Sequence, residues 1–139
     1  MKDNKVLLVH HKKFNKWTPP GGHIEDGETA DQALIREWKE ELSLDIAIIP
    51  TLEKIFTGDA NATPIPVPFY MDIEREGFST PHIGYFFFVR LLDETQAITV
   101  LEKELHNARW FSKEELLTLE TFDQVGALGA YAIDNYPKK

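Results

Sequence analysis

Apolar and polar positions along this chain follow two rhythms, one of period two and one of period near four. Residues 5–11 (KVLLVHH) form a short apolar and β-branched run, which predicts a strand. Over 29–42, Ala30, Leu34, Trp38 and Leu42 recur every four residues and draw one apolar stripe down a helix. Thr29 with Gln32 supplies a capping box at its start. The strand rhythm then returns at 44–49, 52–57, 67–73 and 82–92, with shorter candidates at 98–101 and 108–111. Phe86, Phe87 and Phe88 read as strand core. Pro64, Pro66 and Pro68 keep the stretch between the second and third of these candidates out of a central strand, because each lacks a ladder donor. Pro19, Pro20, Gly21 and Gly22 mark 12–22 as a loop. Ser112 with Glu115 is a second capping box, opening a helix that breaks near Thr121 and resumes to about Asn135. Strands mixed with two or three helices predict a layered α/β or α+β domain. No linker or repeat divides the chain, so one domain over 1–139 is expected.

Charge and cysteine content narrow the function classes. The net charge is −8, so the field of the whole molecule opposes a long nucleic acid. A small phosphorylated substrate stays open, because a local cation dominates at short range. The chain has no cysteine, which excludes disulfides, thiolate metal sites and a cysteine nucleophile, and fits a reducing compartment. The apolar run at 6–9 is too short for the core of a signal peptide. No segment approaches the ~20 apolar residues of a membrane span. A cytoplasmic location with no membrane partner is the expectation.

The candidate chemistry lies in 22–44, which reads GHIEDGETADQALIREWKEELSL. Glu37, Glu40 and Glu41 stand at i, i+3 and i+4, so they share one side of the helix beside the apolar stripe. Mg²⁺ favours hard oxygen ligands of this kind, together with waters and substrate phosphates. Gly21 and Gly22, just upstream, let backbone approach a ligand closely. A metal between helix and loop would polarise a phosphoryl oxygen and activate water. The plainer alternative is a solvated acidic face partnered by Arg36 and Lys39.

The wider spacing decides between them. The stretch resembles the Nudix box, G-x5-E-x7-R-E-U-x-E-E-x-G-U with U a bulky apolar residue. Gly22, Glu28, Arg36, Glu37, Trp38, Glu40, Glu41 and Leu44 fall on it. A chance match in a chain of this length is on the order of one in a hundred thousand. The resemblance implies an α/β/α sandwich with a mixed β-sheet. It implies that Glu37, Glu40 and Glu41 bind Mg²⁺ or Mn²⁺, with the carbonyl of Gly21 as a further ligand. Glu28 would support the loop, and Arg36 would orient the metal-binding glutamates through charge-assisted hydrogen bonds. The reaction implied is hydrolysis of a phosphoanhydride bond in a nucleoside diphosphate linked to some group X, by in-line attack of water. Self-association into a homodimer is compatible with the family.

Two positions depart from that pattern. Ser43 replaces the glycine that ends the helix, where a left-handed backbone is often needed. A strand usually precedes the one resembling KVLLVHH, and this chain begins too late to hold it; either the native start lies upstream or the sheet edge is completed differently, and an unpaired edge there would be an association hazard. Outside the box, Glu104 lies six residues before Trp110. It matches the distal glutamate that many members use as a ligand or base, with Glu102 as the alternative. His10, His11, Lys12, Lys13 and Lys16 are candidates for steering phosphate, against a solvated strand end. Trp17 and Gly22 are candidate substrate contacts, against simple packing. His82, after Pro81, opens a strand, with a ligand role as the lesser alternative. A non-catalytic nucleotide-sensing or protein-binding module is the competing reading, disfavoured because all three glutamates remain. An isomerase of the same fold expects a cysteine that is absent. The residues after the box carry no ADP-ribose or diadenosine-polyphosphate marker, so a nucleoside triphosphate, a dinucleotide and a nucleotide sugar stay open.

Overall fold

A computed structural model describes residues 1–52 and 56–137. The elements in chain order are β1 (Val6–His11), β2 (Lys16–Thr18), α1 (Ala30–Leu42), β3 (Ile46–Ile49), β4 (Tyr70–Glu74), β5 (His82–Phe86), β6 (Phe88–Leu91), β7 (Leu105–Phe111), α2 (Lys113–Leu116) and α3 (Asp123–Asn135). β1 lies at the centre of a three-stranded sheet in the order β2-β1-β7. Its register places Leu7 opposite Trp110 and Val9 opposite both Ala108 and Thr18. The ladder shifts by one residue between His10 and His11, beside the turn that carries Glu104.

Alternation along β1 builds two cores, one on each face of this sheet. Leu7 and Val9 join Trp38 and Leu42 of α1, with Leu44, Ile46 and Leu91. Leu8 points the other way and packs with Phe111, Leu116, Val125 and Ile133 of β7, α2 and α3. Helices therefore cover both faces, the layered α/β arrangement expected. Leu42 and Phe111 are fully buried, and truncating either to alanine would cost roughly 2–5 kcal/mol. All named strand pairs among the described residues are antiparallel, and the parallel component is a single bridge between Trp17 and Thr121.

The helix readings hold closely. Thr29 caps α1, its N–H donating to Gln32 Oε1 at 3.0 Å. α2 follows Ser112, whose N–H donates to Glu115 Oε2 at 2.7 Å. The break near Thr121 is real: the Thr121 hydroxyl donates to the Trp17 carbonyl before α3 begins.

Several strand readings need correction. The loop at 12–22 contains β2, which β1 recruits through the Val9, His10 and His11 register. The 82–92 run is two strands, because β5 pairs with β4 while β6 pairs with β3, and the chain changes partner at Phe87. Phe88 is buried, but Phe86 and Phe87 are only half-buried. Residues 98–101 are not a strand; their N–H groups instead serve the end of α1. The 52–57 candidate includes residues 53–55, which lie outside the described residues. Of the two alternatives for the sheet edge at β1, the edge is completed within the chain, since β2 and β7 occupy both of its sides.

The β4–β5 hairpin is patterned inside out. Met71, Ile73, Ile83 and Tyr85 face solvent, while Tyr70, Asp72, Glu74, His82 and Gly84 take the half-buried positions.

Candidate functional site

The site grows from the buried side of α1. Trp38 and Leu42 anchor the helix in the core, and Glu41 follows them in. It is the one charged residue among the buried side chains of the described residues, 3% exposed, and its Oε2 has no hydrogen-bond partner. A carboxylate there costs several kcal/mol unless a counter-charge arrives. Burial first, and then the charges of Glu37 and Glu104, push its carboxyl from the ordinary 4.5 up to about 8. Glu37 comes from the same helix. Glu104 comes from the turn before β7, some sixty residues further along the chain.

The loop carrying Glu104 is fixed to the helix by backbone hydrogen bonds. Thr99 N–H donates to the Leu42 carbonyl at 3.0 Å and Leu101 N–H to the Glu41 carbonyl at 2.8 Å. These carbonyls have no partner within the helix, so the loop satisfies them and is located by them. Glu104 N–H then donates to the Leu101 carbonyl, and Lys12 N–H to the Glu104 carbonyl, each at 3.0 Å. Glu104 is half-buried, whereas Glu102 is exposed and offers its carbonyl to the Lys12 ammonium. Of the two candidates, Glu104 is the one brought to Glu41.

Arg36 ties the loop to the helix. Its Nε and one terminal nitrogen donate to the two Glu28 oxygens at 2.8 and 2.9 Å, a bidentate pair. The second nitrogen of that pair also donates to the His23 carbonyl at 2.9 Å. The other terminal nitrogen donates to Glu37 Oε1 at 2.9 Å and Glu40 Oε2 at 3.2 Å. Glu28 in turn accepts from the Glu25 N–H at 2.9 Å. The Glu28 bonds hold Arg36 well above its ordinary range, and Arg36 holds Glu28 below the usual carboxylate range. With Glu37 and Glu40 both bonded to Arg36, no three His, Asp or Glu side chains among the described residues converge into a ready-made cage.

Gly22 meets a spatial demand. A Cβ there would overlap the Glu37 carboxylate, so the loop lies directly on that side chain. A Cβ at Gly21 would sit 3.8 Å from Leu34, an ordinary contact, so space alone does not require glycine there. Ser43 ends α1 in the left-handed region at φ 59 and ψ 29, its N–H donating to the Lys39 carbonyl at 3.1 Å.

Lys16 and Trp17 are engaged away from this cluster. Lys16 lies 4.0 Å from Glu76 and 4.3 Å above the Phe122 ring. Trp17 packs edge-on against Phe111 at 4.8 Å, in the core on the α2–α3 side. Lys13 stands 4.7 Å above Phe78. His10 packs edge-on against Trp17. His11 stands near Glu104, and burial lowers its pKa from 6.5 against that carboxylate's pull. His82 is a strand opener as expected, but its ring also meets Phe78 at 4.1 Å and His23 at 5.1 Å. The His23 carbonyl, Glu25 and the stitching at 99–101 were not singled out from the sequence.

The chain belongs to the Nudix family: the model of the Nudix domain matches residues 1–128. It is similar to an uncharacterized Nudix hydrolase, YvcI, of Bacillus subtilis, 42% identical over 55 residues, which take in 40% of this chain and 34% of that protein. It is similar to an ADP-ribose pyrophosphatase of Methanocaldococcus jannaschii, 35% identical over 78 residues, 52% of this chain and 46% of that one. The chain thus spans less than half the length of these two relatives. Among solved structures, a Nudix-family hydrolase of Clostridium perfringens superposes with a TM-score of 0.79 at 25% identity, covering 94% of this chain and 88% of that one. Among the described residues no helix is long and apolar enough to cross a membrane.

Proposed function

We propose that this protein is a Mg²⁺- or Mn²⁺-dependent pyrophosphohydrolase that cleaves a phosphoanhydride bond of a nucleoside diphosphate linked to X. The observation that carries this is the Glu41 carboxyl, buried with Oε2 unpartnered and faced by Glu37 and Glu104. Carboxylates that raise one another's proton affinity beside a buried helix face supply the hard oxygen donors that a divalent cation favours.

Glu37, Glu40 and Glu41 would hold the cation, with the Gly21 carbonyl as a further oxygen. Bound there, the cation supplies charge neutralisation for phosphate oxygens and activation of water. Arg36 sets the carboxylates of Glu37 and Glu40 by hydrogen bonds of 2.9 and 3.2 Å, and Glu28 sets Arg36. Gly22 lets the loop close on Glu37. Glu104 accepts the proton of the attacking water. The water oxygen then bonds to phosphorus, the bridging P–O bond breaks, and the phosphate on its far side leaves. Five of the six side chains with roles, Glu28, Arg36, Glu37, Glu40 and Glu41, lie on α1 and its loop, and the sixth, Glu104, is delivered by the stitched turn.

The relatives' names include an ADP-ribose pyrophosphatase, which supports a small nucleotide as substrate. The test is product identification by mass over a panel of nucleoside triphosphates, dinucleotides and nucleotide sugars with Mg²⁺ or Mn²⁺. Cleavage at an anhydride bond that stops on chelation supports the proposal; no turnover on any member contradicts it.

A further inference from the structure

The β4–β5 hairpin presents its carboxylates inward and its aliphatic side chains outward, the reverse of what a sheet face normally does against a protein body. Met71, Ile73 and Ile83 are each at least 50% exposed. Asp72 and Glu74 are half-buried on the opposite face, with Gly84 and His82 directly across from them in register. Neither carboxyl has a cationic partner among the described residues. Asp72 Oδ1 and His82 Nδ1 are both shielded from solvent without a hydrogen-bond partner. Gly84 permits this arrangement, because a Cβ there would press on Asp72 Oδ1 at 2.5 Å.

The ends of this face are fixed. At one end Tyr70 accepts a hydrogen bond from Gln124 of α3 at 2.5 Å. At the other, His82 packs on His23, whose carbonyl is held by Arg36. Asp72 and Glu74 lie between these supports. The polar face therefore starts at His82, in contact with His23 next to Gly22, and runs toward α3 at Tyr70, with Asp72 two residues, or roughly 6–7 Å, further along the strand than Glu74.

We infer that Asp72 and Glu74, with His82, form the subsite for the nucleoside end of the substrate, where they accept hydrogen bonds from its N–H or hydroxyl donors. This rests on the proposed hydrolase function. Carboxyl groups repel phosphate, so the wall fits the part of a nucleotide that carries no charge. Each carboxyl accepts from N–H donors such as those on a base edge, or from vicinal ribose hydroxyls. Burial holds both carboxyls above their usual range, and the neighbouring Asp72 raises Glu74 further while the bond to Glu74 pulls Asp72 back, which lets the pair share a proton and offer a donor as well as acceptors. Retaining unpaired carboxyls on an inward face costs stability, as expected of groups kept for a ligand.

The experiment compares the parent with Asp72→Asn and Glu74→Gln. Steady-state rates are measured on GTP, ATP, CTP and UTP, on their 2′-deoxy forms, and on base-free 5-phosphoribosyl 1-diphosphate. The expected result is a fall in kcat/KM of at least about tenfold on the parent's preferred nucleotide, carried mainly by KM, since a charged hydrogen bond is lost. The order among bases changes if base donors are read, and the ribo-to-deoxy ratio collapses if ribose hydroxyls are read. The base-free probe keeps its rate within about twofold in the first case. Without ligand, both variants melt at or above the parent's temperature. Equal losses on every substrate with a lowered melting temperature, or no change on any, overturn the inference while leaving hydrolysis standing. Where the parent prefers a dinucleotide or nucleotide sugar, the variants are compared on that substrate and its deoxy form, with the same outcomes expected; a parent that turns over no triphosphate, dinucleotide or nucleotide sugar removes the hydrolase proposal and the subsite with it.

Discussion

The Leu101 N–H donates to the carbonyl of Glu41 at 2.8 Å, so the turn that carries Glu104 is tied to the helix residue its carboxylate faces. Two acids sixty-three positions apart in the chain are thereby held together by main-chain geometry, with side chains free for chemistry. Replacing Glu104 by Gln should therefore lower turnover by ~10² to 10⁴-fold, as removal of a general base does, while the fold is unchanged. Glu102→Gln, on an exposed turn position, should stay within about twofold of the parent. Single-turnover rates on both variants check this; the opposite ranking would transfer the role to Glu102.

The raised Glu41 carboxyl makes stability depend on pH. Its folded pKa, about 8, lies above the ordinary 4.5, so between these values the folded state holds more protons than the unfolded one. Metal-free protein should therefore lose this contribution as pH rises from about 5 to about 8. His11 and the Met1 amine, both lowered by burial, work in the other direction. Comparing the parent with Glu41→Gln cancels those shared terms. In chelator, the variant should gain on the parent steadily with rising pH, measured by urea melts at pH 5, 6, 7 and 8. A constant difference would show that Glu41 is not strained.

Much of this was legible in the sequence, because α1 obeys a local rule. Its four-residue stripe, its Thr29 cap and its glutamate spacing all follow from helix geometry, and the box adds the loop. What escaped was decided by distant partners. β2 exists because β1 offers an edge to Lys16, Trp17 and Thr18. The 82–92 run divides because β4 and β3 claim its two halves. Residues 98–101 look apolar enough for a strand, yet their N–H groups go to helix carbonyls. The inward set of Asp72 and Glu74 reverses the usual hydrophobic choice, and no local pattern announces which face of a hairpin meets the protein.

Ser43 holds a left-handed backbone at φ 59 that glycine adopts without steric cost. Ser43→Gly should raise stability by roughly 0.5–1 kcal/mol, the relief of strain being partly offset by the freer unfolded chain. Activity should be unchanged, since the serine touches none of the site residues. Denaturant melts decide it, and a loss of stability would mean that the serine side chain contributes a compensating contact.

Gly22→Ala places a methyl group where the Glu37 carboxylate lies. The loop is exposed, so global stability should change by less than about 0.5 kcal/mol. Turnover should fall at least about tenfold because Glu37 must shift, and a misplacement of even ~1 Å is costly to catalysis. Retained turnover would show that Glu37 has room to move without consequence.

The most direct measurement is a thermal melt with and without Mg²⁺ on the parent and on Glu41→Gln, run beside their rates on the nucleotide cleaved in the panel. A cation that binds the folded state raises the melting temperature by mass action. The parent should therefore gain stability with Mg²⁺, and Glu41→Gln should gain clearly less while losing turnover by orders of magnitude. The metal-free variant should be at least as stable as the parent, since it removes a buried carboxyl faced by two others. Equal Mg²⁺ shifts in both proteins, with turnover intact in Glu41→Gln, would contradict a cation site built on Glu41.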